Sequence, residues 1–134
     1  MFVEKRKHQR LKIKLIARIE CENKYSIEGK SRNISFGGIF FEPDTIADDR
    51  IQKGDICMLT LMLNQDDQNN SIPLDFQCKV VHVRKRGYGM QFLSIEGLEA
   101  YDHFEKMMVL NSDASESLMA ELEKRPGLIV KEED

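Results

Sequence analysis

Apolar and polar residues alternate along much of residues 11–95, the period expected of half-buried β-strands. The first alternating stretch covers residues 11–21. Residues 25–34 form a second, more polar stretch, in which Gly29 predicts a bulge or a close backbone approach. A short apolar run at residues 39–41 stops at Pro43, so we expect three strands before residue 44. The apolar face of the first strand consists of Leu11, Ile13, Leu15, Ala17, Ile19 and Cys21.

Three further strands are predicted after a polar loop. Residues 56–63 are apolar nearly throughout, which favours a strand that is either buried on both faces or part of a closed barrel. Residues 74–84 alternate again, and a turn leads into a last strand at residues 88–93. Short strands at this spacing, without intervening helices, predict an antiparallel sandwich or barrel. The inward faces of the last two strands are expected to be Leu74, Phe76, Cys78, Val80 and His82, then Tyr88, Met90 and Phe92.

The period changes to that of helices after residue 96. One helix is predicted from Leu98, Tyr101, Phe104, Met107 and Met108, and a second from Leu118, Met119 and Leu122, ending at Pro126-Gly127. Helices this short cannot hold a core alone, so their apolar stripes must cover the barrel or meet a partner. The chain is therefore divided into a flexible basic arm at residues 1–10, a barrel at 11–95, a helical extension at 96–127 and a tail at 128–134.

Charge is unevenly distributed along the 134 residues, whose net charge is −3. An acidic balance argues against bulk DNA or RNA binding, which normally requires a basic domain. Six basic residues nevertheless crowd the N-terminus beside a single acid, Glu4. We therefore expect an anionic ligand to meet the protein near residues 5–14. The six are Lys5, Arg6, Lys7, Arg10, Lys12 and Lys14.

The three cysteines, Cys21, Cys57 and Cys78, lie far apart in the sequence and form no C-x-x-C pair. Neither a zinc site nor a disulfide framework is indicated, and each is expected to behave as a small buried apolar residue. No signal peptide is recognised, and no apolar run approaches the roughly 20 residues that span a bilayer. The sequence predicts a cytoplasmic protein without a membrane span.

The stretch R-N-I-S-F-G-G-I-F-F at residues 32–41 concentrates small polar side chains and glycines between two predicted strands. Asn33 and Ser35 can both donate and accept hydrogen bonds. Gly37 and Gly38 allow positive φ and a close approach of backbone or ligand. Asn, Ser and Gly also dominate ordinary turns, so the stretch alone indicates either a turn or a binding loop.

The stretch resembles a known family once the N-terminus is read with it. Arg6 and Arg10 form R-x-x-x-R before the first strand, and residues 33–38 form N-x-S-x-x-G after the second. This pair resembles the PilZ domain, a bacterial receptor for cyclic di-GMP. The segments K-V-V-H at residues 79–82 and G-M-Q-F at 89–92 resemble the closing hairpin of that family. The resemblance implies a six-stranded antiparallel β-barrel of the split-barrel type, with C-terminal α-helices.

The resemblance also implies a site. Arg6 and Arg10 would grip guanine and phosphate, since the guanidinium fork matches guanine O6 and N7 and can stack on a base. Asn33 and Ser35 would hydrogen-bond a guanine, with Gly37 beside them, and Gly38 would leave room for it. The implied function is a receptor that repositions its arm on binding and regulates an unknown partner protein. Secondary contacts are expected from Lys5, Lys7, His8, Gln9 and Gly89.

Two other functions stay open at this stage. One is a PilZ-like interaction module that binds no nucleotide. The other is a barrel that binds single-stranded RNA, for which Tyr25 and Tyr88 are the stacking candidates. An enzyme is not expected, because no acid–base or nucleophile constellation is present. His82 and His103 lack companions at ligand spacing, so neither a metal nor a cofactor is predicted, and a homodimer is left open.

Overall fold

The computed structural model describes residues 11–21, 26–45, 51–64, 71–111 and 129–131, and every structural statement below concerns these residues. They form seven strands and one helix. The elements are β1 (Ile16–Cys21), β2 (Ser26–Ile34), β3 (Gly38–Pro43), β4 (Ile56–Asn64), β5 (Ser71–Arg84), β6 (Gly87–Glu96), α1 (Leu98–Leu110) and β7 (Ile129–Lys131).

Six strands form a closed antiparallel barrel. Their order around the barrel is β3-β2-β1-β4-β5-β6, and pairing between β3 and β6 closes it. The predicted fold, a six-stranded antiparallel barrel followed by helix, is therefore confirmed. The second predicted helix, with Leu118, Met119 and Leu122, lies outside the described residues.

The alternation of apolar and polar residues in the sequence corresponds to alternating buried and exposed side chains in the barrel. In β1 the side chains of Ala17, Ile19 and Cys21 are buried, and the intervening residues are exposed. The same alternation continues in β4, where Cys57, Leu59 and Leu61 are buried. The outer face of β4 carries the partly exposed Ile56 and Met58, so burial of this strand on both faces is wrong.

His82 does not share the inner face of β5 with Leu74, Phe76, Cys78 and Val80. Those four side chains are fully buried, whereas His82 is exposed. The pairing of β5 with β6 shifts register between Val80 and His82. A bulge of this kind changes the alternation of side chains, so the prediction for His82 is wrong.

Helix α1 closes the barrel with one aromatic side chain. The ring of Phe104 is fully buried and meets three other rings edge-to-face, at centroid distances of 5.6 Å to Phe36, 5.2 Å to Phe76 and 5.6 Å to Phe92. Phe76 and Phe92 stack on each other at 4.2 Å. Edge-to-face pairs stabilise beyond the area they bury. The helical stripe therefore packs on the barrel through Phe104.

Strand β7 was not predicted within the tail at residues 128–134. Ile129–Lys131 pairs in parallel with the C-terminal part of β6, Ile129 opposite Ser94. The N–H of Gly97 donates to the carbonyl of Lys131 at 2.6 Å, next to the start of α1. Three residues are too few to show an alternating pattern, so the sequence carries no signal for this strand.

The three cysteines are buried, as expected, and they lie in one row across three strands. Cys57 in β4 is opposite both Cys21 in β1 and Cys78 in β5, and none of these three described cysteines forms a disulfide. A hydrogen bond with Cys21, together with burial, raises the pKa of Cys57. Burial alone raises the pKa of Cys78. The thiols of Cys57 and Cys78 therefore stay protonated and behave as core residues.

Replacing Phe104 tests the closure by α1. Phe104→Ala removes a ring that contacts three others in the core, and we expect a loss of about 3–5 kcal/mol in the free energy of unfolding. Leu110→Ala is the control on the same helix, because Leu110 is 83% exposed and should cost little. Equilibrium unfolding in urea measures both. Equal midpoints for the two variants would contradict this packing.

Candidate functional site

Residues 35–38 form a tight turn that its own serine holds together. The Ser35 N–H donates to the Gly38 carbonyl at 2.8 Å, and the Ser35 hydroxyl accepts from the N–H groups of Gly37 and Gly38, both at 3.1 Å. Ser35 is 8% exposed. Positive φ occurs at Gly54 and Gly97 within the described chain, so the glycine pair does not use the conformational freedom predicted for it.

Gly38 is required by the closure of the barrel. It lies opposite Gln91 in the β3–β6 pairing, and a Cβ at position 38 would collide with the backbone carbonyl of Met90. Beside it, the N–H of Phe92 donates to the carbonyl of Gly37 at 2.9 Å. The close approach expected at this glycine is therefore made by the neighbouring strand.

The chain before β1 is fastened to the same corner of the barrel. The N–H of Leu11 donates to the Ile34 carbonyl at 2.8 Å, and the Ile34 N–H donates back to the Leu11 carbonyl at 2.9 Å. The buried hydroxyl of Ser31 accepts from the N–H of Leu15 at 2.8 Å and donates to the carbonyl of Ile13 at 2.6 Å. Leu11 is thereby held beside Ile34, which is the residue between Asn33 and Ser35 in the sequence.

A surface groove of about 620 Å³ lies along this corner, within the usual size range of ligand pockets. Its lining includes five of the predicted site residues: Asn33, Ser35, Gly37, Gly38 and Gly89. The structure thus brings the polar turn and the closing hairpin together. The remaining predicted residues lie outside the described chain: Arg6, Arg10, Lys5, Lys7, His8 and Gln9.

The other wall of the groove comes from residues that the sequence reasoning did not select. Arg32 places its guanidinium carbon 5.9 Å from the centre of the Phe40 ring, within cation–π range. His82 and Arg84 extend from the exposed end of β5. All three side chains are exposed. The exposure of Arg32 follows the alternation of β2, whereas a bulge in β5 hides the exposure of His82 from a period-two pattern.

The charge of the groove suits an anion. Among the described residues, its lining contains Arg32 and Arg84 and no carboxylate. A second cavity, of about 710 Å³, lies where β5 meets the start of α1 and is lined by Asp75, Glu96 and Glu99. A phosphate would be repelled there. No group of side chains suited to holding a metal ion occurs within the described ranges.

One sequence-based alternative loses part of its support. Tyr88, a stacking candidate for single-stranded RNA, is fully buried in β6, and Tyr25 lies outside the described residues. Phe40 is half-buried and is the aromatic side chain that lines the groove within the described ranges. No helix in those ranges is both long and apolar enough to span a membrane.

The fold and groove define a small closed β-barrel with a polar, positively charged surface groove at one corner. The family model of the PilZ domain matches residues 4–106, which is most of the 134-residue chain. The chain belongs to the PilZ domain family, as its two half-motifs predicted. PilZ domains are receptor and adaptor modules.

Similar folds occur among solved structures. The chain is similar to the Bacillus subtilis inhibitor of motility (MotI/DgrA), with a TM-score of 0.60 and 19% identity over 92% of this chain and 54% of that one. The chain thus spans about half the length of that protein, and at this identity the likeness shows the fold. No curated protein matches the chain.

A pair of glycine substitutions tests whether closure explains Gly38. Gly38→Ala brings a methyl group against the Met90 backbone, so we expect it to lower the free energy of unfolding by about 1–3 kcal/mol or more without any ligand. Gly89→Ala is the matched control, because the atoms nearest its methyl belong to the exposed His82 side chain at 3.1 Å, a looser contact than that with the Met90 backbone at position 38. Thermal unfolding that ranks Gly89→Ala as the more damaging change would contradict the assignment.

Proposed function

We propose that this protein is a cyclic di-GMP receptor whose ligand binds in the 620 Å³ groove. One observation supports the proposal most. The N-x-S-x-x-G turn lines a groove that contains two arginines and no carboxylate among its described lining residues. Cyclic di-GMP carries two phosphodiesters and two guanines. It therefore needs positive charge, hydrogen-bonding groups for base edges and apolar surface for base faces.

The position of Leu11 supports a role for the two arginines of the arm. Successive Cα atoms are about 3.8 Å apart, so Arg10 is attached within one peptide of the Leu11–Ile34 bridge. Arg6 lies four residues before Arg10, and four residues of extended chain span at most about 14 Å. Both guanidiniums can therefore reach a ligand seated against Asn33 and Ser35.

Ser35 retains a hydrogen-bond donor for such a ligand. Its oxygen is committed to two N–H groups of the turn, whereas its O–H reaches the Gly38 carbonyl only at 3.4 Å. A bond of that length is weak, so the hydroxyl can donate to a guanine acceptor instead at little cost. Asn33 is half-buried on the groove and offers both amide donor and acceptor.

We propose that the output is regulation of a partner protein. Ligand binding would fix the N-terminal arm across the barrel, an order–disorder change that alters the exposed surface. Phe36, inside the ligand turn, packs on Phe104 of α1, which offers a second route from the ligand to the surface. Because the similar Bacillus subtilis protein is an inhibitor of motility, motility is the first output to examine. A PilZ module that binds no nucleotide remains the alternative.

Arginine substitutions test the ligand site. Arg6→Ala and Arg10→Ala should each weaken cyclic di-GMP binding by about five- to 150-fold, because a guanidinium–guanine contact is worth about 1–3 kcal/mol. Arg10→Lys should also weaken it, since lysine lacks the planar fork. Isothermal titration calorimetry measures affinity and stoichiometry together.

Arg18→Ala is the control for net charge. Arg18 is exposed in β1, lies 3.5 Å from Glu20 and does not line the groove, so its removal should leave affinity unchanged. If Arg18→Ala and Arg10→Ala weakened binding equally, the charge as a whole would be responsible. If the unchanged protein bound no cyclic di-GMP, the alternative module would be supported.

A further inference from the structure

Four residues from four strands form one row on the outer surface of the barrel. Asn33 in β2 is opposite Phe40 in β3, Phe40 is opposite Gly89 in β6, and Gly89 is opposite His82 in β5. All four line the groove. The row begins at Asn33, beside the polar turn, and ends at His82, to which the family resemblance assigns no role in binding.

Glycines in β6 leave room for both rings of this row: Cε1 of Phe40 lies 3.0 Å from where a Cβ at Gly87 would be, and the His82 ring lies against Gly89. Phe40 and His82 are attached two strands apart, about 10 Å at the ordinary spacing of strands. No side chain separates them at position 89. A Cβ there would lie 3.1 Å from both Cβ and Cδ2 of His82, so the imidazole already leans over the glycine.

We infer that Phe40, Gly89 and His82 form a stacking platform for one base of the nucleotide, with His82 as a further ligand-binding residue. The inference rests on the proposed function and deepens it. Flat aromatic side chains on an exposed sheet face are the usual partners of unpaired bases. The guanidinium carbon of Arg32 lies 5.9 Å from the centre of the Phe40 ring, which places a positive charge beside the platform.

The platform also divides the work within the groove. Hydrogen-bonding groups lie near one end of the row, at Asn33 and Ser35, whereas the flat surfaces extend from Phe40 in β3 across β6 to His82 in β5. A base edge read by an amide and a base face held by a ring require such adjacent surfaces. The arrangement explains why a glycine is useful at position 89, where close backbone packing does not require it.

Binding of cyclic di-GMP by full-length variants tests the platform. His82→Ala should weaken binding about tenfold, the effect of removing one stacking partner, with an unchanged melting temperature. His82→Phe should keep most of the affinity of the unchanged protein, because phenylalanine also has a flat ring. Gly89→Ala should also weaken binding, because its methyl group displaces the imidazole.

A fluorescent substitution gives an independent readout. The chain contains no tryptophan, so His82→Trp introduces a single reporter whose emission should fall when a guanine stacks on it. Met58→Trp is the matched control, because Met58 is 38% exposed on β4 and does not line the groove. Its emission should not change on titration.

The outcomes separate the two proposals. If the unchanged protein binds cyclic di-GMP while His82→Ala binds equally well, or the His82→Trp variant shows no quenching, the platform is overturned and the receptor function stands. If His82→Ala and His82→Phe lose affinity equally, stacking is overturned as the role of the ring. If the unchanged protein does not bind, the receptor function fails and the platform fails with it.

Discussion

The backbone contact that closes the barrel is the constraint on which this structure depends. Strands β3 and β6 meet so closely at Gly38 that a single added carbon would strike the Met90 carbonyl. Closure leaves no free sheet edge between these two strands, which would otherwise expose unpaired N–H and C=O groups. The turn at residues 35–38 is held in place by the same contact, through the bond from Phe92 to Gly37.

The candidate site therefore lies where the pairing of β3 with β6 closes the barrel. The polar turn cannot move independently of β6, because the barrel would open. Phe36 extends the same turn inward to the aromatic cluster under α1, where it meets Phe104. Packed elements with few arrangements are the kind that transmit a change at one site to another. The turn at residues 35–38, the pairing of β3 with β6 and helix α1 are thus parts of one packed unit.

Most of the barrel could be predicted from period-two alternation, because one face of each strand is buried and the other is not. The polar corner could be predicted from Asn33, Ser35 and the glycine pair, through a family resemblance that the match to residues 4–106 bears out. Both predictions rest on signals that are local in sequence.

The remaining features depend on contacts that are distant in sequence. A bulge in β5 turns His82 outward, and only the register between strands reveals that His82 is opposite Gly89. The reason for Gly38 lies in the backbone of Met90, on a strand three elements later in the chain. Strand β7 pairs with β6 from beyond α1 and carries no periodicity of its own. Pairing of this kind is decided by tertiary packing.

The most direct test of the account is amide mapping by NMR while cyclic di-GMP is added to the full chain. We predict that the largest shifts occur at Asn33, Gly37, Gly38 and Gly89, which line the basic groove. Residues of the acidic cavity, such as Glu99 and Ala100, should move far less. Shifts concentrated at the acidic cavity, or no shifts at saturating ligand, would contradict the account.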